Sequence, residues 1–262
     1  MSKSEADLPT PLDTTQRFLD VAIAQFSELG ITHLEVVFAT DEWEDLKEFA
    51  ESRFAEIRDI SRSHERQIRL VRLHAMFPEM LRWLFPDPLK LFCEAMWGQD
   101  PLCIQSQLFL KPPMANGMGF HQDTFYIKAR PWTPLALWIP LEDADEENGC
   151  LVFAPRSHAL GPIEHKKHEP AGDTAVANPQ RFTDIHMRLP EGMVTASVCV
   201  REGGCLLFDG DLIHGSLPNI SNSRTRKSMV LHFVPAGTTH ISKFHWPPID
   251  SRGRSIAMDI LE

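Results

Sequence analysis

The stretch Gly119-Phe120-His121-Gln122-Asp123-Thr124-Phe125-Tyr126-Ile127 decides how this chain is read. It is an apolar and aromatic run that carries a histidine and an aspartate two positions apart. As a strand over 120–127 it projects His121 and Asp123 from one face, because side chains alternate along a strand. If that face looks into a cavity, an imidazole nitrogen and a carboxylate converge on one spot. A metal ion there needs at least one more ligand from elsewhere in the chain.

The same texture begins near residue 101 and continues from there. Short apolar or alternating runs occur at 102–110, 135–141, 150–154, 195–200, 205–208 and 229–234, divided by Gly, Pro and Asn. Many short strands separated by turn signals predict a β-sandwich or barrel. Asn148-Gly149 reads as a structural tight turn. The polar segment 161–192, rich in Pro, His and charge, breaks the spacing and reads as a lid or a disordered loop. Within it, His165 and His168 read as part of an exposed charged loop.

Upstream the pattern is helical. Phe18, Leu19, Ala22, Phe26 and Leu29 recur at three and four from Thr14, with Gly30 as a stop, and 31–38 reads as a strand. Thr40 caps a second helix carrying Trp43, Leu46, Phe49, Ala50, Phe54 and Ile57. Further helices are expected over 68–76 and 89–97. The expected organisation is one domain over 1–262. Residues 1–100 are mostly helical support behind a loose polar start, 101–236 form the β core and 237–262 form a C-terminal tail. No chemistry is expected from the first hundred residues.

The formal charge of −10 argues against nucleic acid or an anionic membrane as partner. Local cations such as Lys128, Arg130 and Arg156 remain compatible with an anionic small molecule. The five cysteines form no C-x-x-C pair and read as reduced, mostly buried thiols. With no apolar signal core and no spanning run, a cytoplasmic protein is expected.

Among twelve histidines, His214 stands out as third ligand: an apolar strand ends in Asp209-Gly210-Asp211, and the histidine opens the next short strand. Asp209 and Asp211 read as turn-shaping. Further on, alternation along Arg226-Lys227-Ser228-Met229-Val230-Leu231-His232-Phe233 puts Arg226, Ser228, Val230 and His232 on one face. Arg226 beside Ser228 makes a good carboxylate clamp, because guanidinium donors are paired and planar. Two histidines and one carboxylate on one side of a metal suit a non-haem Fe(II) oxygenase, with 2-oxoglutarate as the dicarboxylate for the clamp. Zinc sites share that ligand set, so the triad alone leaves the metal open.

An ordered series of motifs then resembles the phytanoyl-CoA dioxygenase family of Fe(II)/2-oxoglutarate oxygenases. These are Lys111-Pro112-Pro113, His121-Gln122-Asp123, Ala136-Leu137-Trp138, Glu147-Asn148-Gly149-Cys150-Leu151, Pro155-Arg156-Ser157-His158, His214-Gly215-Ser216 and Arg226. The resemblance implies a mainly β chain with a helical N-terminal part and a double-stranded β-helix (jelly-roll, cupin-like) core. It implies His121, Asp123 and His214 as iron ligands. Arg226 would hold the distal carboxylate of 2-oxoglutarate, with Ser228 as helper and Trp138 and Gln107 as further contacts. O2 is the other cosubstrate. The implied reaction hydroxylates a C–H bond of a small-molecule or thioester-linked metabolite and releases succinate and CO2. Halogenating relatives lack the carboxylate, so Asp123 favours hydroxylation.

Two departures stand out. Arg156 occupies a position where the family usually has glycine, and the His214–Arg226 spacing is one residue longer than common, which makes Arg224 the alternative clamp. Tyr126, out of phase with His121 and Asp123 on a strand, reads as packing. The rival functions are a cupin-like divalent-metal hydrolase or isomerase that uses no O2, and a binding protein with a vestigial site.

Overall fold

Apolar residues at helical spacing build the support, and two short strands of the large sheet are set among these helices. A computed structural model describes residues 11–34, 37–58, 68–163, 187–245 and 247–261. Residues 164–186, with His165 and His168, lie outside the described residues, as do 1–10 and residues 35–36 of the strand expected over 31–38.

Helix α1 (Pro11–Leu29) buries Ala22 and Phe26. Gly30 ends it at φ 80°, a left-handed conformation natural only to glycine, and a Cβ there would lie 2.5 Å from the His158 ring. Strand β1 (Ile31–Leu34) follows, then α2 (Thr40–Arg58), with Asp41 and Glu42 in the first turn and Leu46, Phe49, Ala50 and Phe54 buried.

The helix expected over 68–76 forms only in its second half. Residues Ile68–Val71 are strand β2, and a short helix α3 covers Leu73–Met76. The helices α4 (Leu81–Leu84) and α5 (Asp87–Trp97) lead into β3 (Pro101–Lys111). β2 pairs with β3 in the register Arg69↔Phe109 and Val71↔Gln107. Pairing with a long buried strand outweighs the local helical pattern of so short a segment.

Next come β4 (Met118–His121), helix α6 (Asp123–Ile127), β5 (Leu135–Pro140), β6 (Leu151–Phe153) and β7 (Ala196–Val198). The remaining strands are β8 (Cys205–Asp209), β9 (His214–Ser216), β10 (Arg226–Pro235), β11 (His240–Ser242) and β12 (Asp259–Leu261). The single strand expected over 120–127 is therefore a strand end followed by a helical turn. Backbone pairing explains the switch: Thr124 N donates to Gly210 O, and Lys128 N closes the helix on Thr124 O.

The strands form a six-stranded sheet in the order β1-β8-β5-β10-β3-β2 and a four-stranded sheet in the order β4-β9-β6-β7, both antiparallel, as expected of a double-stranded β-helix. β11 and β12 form a small parallel pair. On the outer face of the large sheet, Met229, Leu231 and Phe233 of β10 join Leu108, Leu137 and Leu207 against the helices. On the inner face, Val230, Trp138 and Phe208 meet Leu151 and Phe153 of the small sheet. Each such burial is worth about 1.5–3 kcal/mol, so a one-residue slip of β10 would be costly and the inward set is locked.

The five cysteines are free, and all but Cys199 are buried. Burial pushes the Cys103 and Cys150 thiols up to about 12. Among the described residues, no helix is long and apolar enough to cross a membrane.

Candidate metal centre

His121 ends β4 and His214 begins β9, and the two are direct partners across that ladder. The close approach depends on Gly215, where a Cβ would come 2.5 Å from Met118 O. The imidazoles meet with ring centroids 4.2 Å apart. Each Nδ1 lies against a backbone carbonyl two residues back: His121 on Gly119 O at 2.9 Å, His214 on Leu212 O at 3.0 Å. A carbonyl only accepts, so both Nδ1 atoms carry the proton and both Nε2 atoms keep a lone pair.

Asp123, at the first position of α6, completes the group. Its oxygens lie 3.7 Å from His121 Nε2 and 3.9 Å from His214 Nε2. One ligand atom from each of the three residues falls within 4.8 Å of the others, a spacing one metal ion can bridge. His121 and Asp123 reach the site from a strand end and a helix start, not from one strand face. Burial would raise the Asp123 carboxyl, but His232, His214 and His121 overcome this and hold it well below the usual carboxylate range.

The other expected residues line the same cavity, of about 700 Å³: Gln107, Trp138 and Arg226 are in its wall. Arg226 is 2% exposed, and its guanidinium lies over the Trp138 ring at 5.8 Å. Ser228 is buried behind it and accepts from Arg226 Nη1 at 2.5 Å, so it orients the guanidinium. Arg226 Nε is buried without a partner, as is Gln107 Oε1. Burial pushes the Arg226 guanidinium down to about 10, still charged at neutral pH. A buried cation with an orphan donor and no carboxylate in ion-pair range among the described residues fits an anionic ligand. Arg224 instead pairs with Asp145 at 2.7 Å and Glu147 at 3.1 Å, outside this cavity.

Asn148 is the turn residue expected, bonded to Asp145 N, Asp143 O and Thr225 O. Asp209 likewise caps the turn before His214 by accepting from Asp211 N at 2.7 Å. Arg156 pairs with Glu28 and does not line the cavity, nor does Arg130, whereas Lys128 does. Tyr126 is a correction. Because 123–127 is helical, its ring faces the cavity, with its centroid 6.1 Å from that of His121.

Several residues near the site were not given a role by sequence. His232 Nε2 lies 3.1 Å from Asp123 Oδ2, and its signal was the strand face shared with Arg226. His245, from the tail, stands near His232, and burial followed by that neighbour pushes its imidazole down to about 4. Ser216 lines the cavity and accepts from the buried Lys111 Nζ at 2.8 Å. Arg72, in the segment expected to be support, also lines the cavity.

Comparison with known proteins agrees with this geometry. Residues 26–228 match the family model described as phytanoyl-CoA dioxygenase (PhyH). The chain is 30% identical over 179 residues to phytanoyl-CoA dioxygenase domain-containing protein 1 of Bos taurus, a match covering 66% of this chain and 59% of that protein. It is 28% identical over 201 residues to phytanoyl-CoA dioxygenase 1 of Oryza sativa subsp. japonica, covering 76% of this chain and 68% of that protein. In fold it is similar to the epimerase SnoN solved in complex with Fe3+, alpha ketoglutarate and nogalamycin RO, with a TM-score of 0.67, 20% identity and 86% of each chain covered. It is similar also to EvdMO1, with a TM-score of 0.63 and 26% identity over 84% of this chain and 50% of that one. The chain belongs to the phytanoyl-CoA dioxygenase family of Fe(II)- and 2-oxoglutarate-dependent oxygenases.

Proposed function

We propose that this chain hydroxylates a C–H bond of a small-molecule metabolite, with His121, Asp123 and His214 holding Fe(II) and Arg226 holding the distal carboxylate of 2-oxoglutarate. With iron and cosubstrate bound, the chemistry supplied is oxidative decarboxylation of 2-oxoglutarate by O2, giving succinate and CO2, coupled to oxygen insertion into the substrate. The protein's part is placement. The two Nδ1–carbonyl bonds aim both imidazole lone pairs, and His232 restrains the Asp123 carboxylate. Ser228 and the Trp138 face hold the guanidinium, while Phe208 and Val230 keep the inner wall dry. Ser216 and Gln107 are further polar contacts for the cosubstrate.

The observation that carries this reading is Arg226: charged, buried, with an orphan donor, in the wall of the cavity that contains the triad. A metal hydrolase or isomerase would have no use for such a clamp, and a vestigial site no reason to keep it. The test is succinate release from 2-oxoglutarate over a metabolite panel with Fe(II) and ascorbate. Release that requires both Fe(II) and O2 is expected. Substrate turnover that persists without O2 would replace the oxygenase reading with the hydrolase or isomerase one.

A further inference from the structure

The four-stranded sheet ends on a short outer strand, and that edge carries two thiols side by side. β7 is three residues long and stands last in the order β4-β9-β6-β7, paired among the described residues with β6 alone. Its register is Leu151↔Val198, Val152↔Ser197 and Phe153↔Ala196, so one step further sets Cys150 opposite Cys199. The flanks hold that step in place: Val200 exchanges both backbone bonds with Ala144 at 2.9 Å, and Cys150 O accepts from Leu217 N at 3.0 Å. The Cys150 sulfur is within hydrogen-bonding reach of the Cys199 thiol and of the Val198 backbone N–H. Directly opposed residues of an antiparallel pair have Cα atoms about 4.5–5.5 Å apart, inside the roughly 4.4–6.8 Å that a disulfide spans.

The two thiols differ in access. Cys199 is exposed, whereas Cys150 is buried in the inner core with Leu151 and Val200. Burial, with the Cys199 thiol beside it, pushes the Cys150 thiol up to about 12, so it keeps its proton at neutral pH. An oxidant in solution therefore meets Cys199 first, and Cys150 is the neighbour placed to resolve the product. Cys93, Cys103 and Cys205 are buried in the separate core against the helices, out of an oxidant's reach. Neither Cys150 nor Cys199 lines the cavity of the triad. Cys150 stands directly behind its wall: Leu151 lines the cavity, and Gly149 O accepts from the buried Lys111 Nζ at 3.4 Å.

We propose that Cys150 and Cys199 are a reversible redox pair, which a low-molecular-weight disulfide such as oxidised glutathione converts to a cross-strand disulfide that staples β7 to β6 and the cavity wall. In the first step the Cys199 thiolate attacks one sulfur of oxidised glutathione. A mixed disulfide forms, and one glutathione leaves as a thiolate and takes up a proton. In the second step Cys150 gives up its proton and its sulfur attacks the Cys199 sulfur, expelling the second glutathione, which also leaves protonated. Two protein thiols are oxidised to one disulfide, and one glutathione disulfide is reduced to two thiols. The closed loop runs from 150 to 199, long enough for the cross-link to remove much of the unfolded chain's freedom.

The experiment treats the purified 262-residue chain anaerobically with oxidised glutathione, blocks the remaining thiols with iodoacetamide under denaturing conditions, and maps the peptides by mass. The expected product is a peptide pair joined through Cys150 and Cys199, lighter by two hydrogen atoms, with Cys93, Cys103 and Cys205 carrying the blocking group. Dithiothreitol before blocking returns all five cysteines to the blocked form. Thermal unfolding of the oxidised chain should shift up by about 5 °C or more and return on reduction. Cys199→Ser, a change at an exposed side chain, should abolish both the linked pair and the shift. Glutathione left on Cys199 with Cys150 blocked by iodoacetamide would overturn the inference, as would a linkage through any other cysteine or no modification at all. A linked pair that leaves the unfolding temperature unchanged would refute the stapling of β7.

Discussion

The Nε2 of His232 lies 3.1 Å from Oδ2 of Asp123, which ties the last strand of the inner face to the carboxylate of the triad. An ionised carboxylate accepts only, so His232 donates, and the bond fixes which way Asp123 presents its other oxygen. Partners of this kind are typically worth 10–100-fold in metal affinity. His232→Leu should therefore fold, because it replaces a buried side chain by an apolar one, and should bind Co(II) or Fe(II) about 10-fold or more weakly by direct titration. Unchanged metal affinity would mean that Asp123 is held by α6 alone.

Arg226 and Arg224 make opposite predictions. Arg226→Ala removes a buried guanidinium with no carboxylate in ion-pair range among the described residues, and it should raise the 2-oxoglutarate concentration needed by about 30-fold or more, the equivalent of roughly 2 kcal/mol. Arg224→Ala breaks half-exposed ion pairs to Asp145 and Glu147, worth at most about 1 kcal/mol of stability, and should leave the cosubstrate requirement unchanged. Saturation curves for both variants decide the register. An Arg224→Ala defect without an Arg226→Ala defect would reverse the assignment.

Gly215→Ala tests whether strand contact sets ligand spacing. Its Cβ would sit 2.5 Å from Met118 O, so β9 must move from β4 and His214 from His121. A loss of about 1–3 kcal/mol in stability is expected from overpacking, together with weakened metal binding. A variant that is less stable but binds metal normally would show that the ladder does not position the histidines.

Asp209 gives a pH dependence. Burial pushes its carboxyl up to about 7 in the fold, with Asp211 adding to the rise and the bond from Asp211 N opposing it. The folded state thus holds the proton where the unfolded chain has released it, and stability falls as pH rises from about 4 to about 7. Asp209→Asn keeps an acceptor for Asp211 N and has no charge to bury. Its stability relative to the parent, from urea unfolding, should increase between pH 4 and pH 8. A difference that does not vary with pH would mean that Asp209 is not buried as described.

The candidate ligand residues were legible because each is marked by its own local sequence. His121-Gln122-Asp123 is contiguous, His214 follows a marked turn, and the face of Arg226 follows from alternation along a long buried strand. The elements carrying them were less legible. Ile68–Val71 is too short to separate a two-residue period from a helical one, and only pairing with β3 makes it a strand. The aromatic run 123–127 has strong strand character, yet the bond from Thr124 N to Gly210 O turns it into a helix. Both misreadings had a functional cost. The first hid Arg69 and Arg72 from the cavity, and the second hid Tyr126. Asp123 and His121 converge as expected, but by a different route.

In the proposed site the triad and Arg226 bind iron and 2-oxoglutarate together. The most direct measurement is the visible spectrum of anaerobic, Fe(II)-loaded protein during titration with 2-oxoglutarate. A weak charge-transfer band should grow to saturation in the parent, be lost in Asp123→Ala, and require far more 2-oxoglutarate in Arg226→Ala. A silent spectrum in parent protein shown to contain iron would contradict the account.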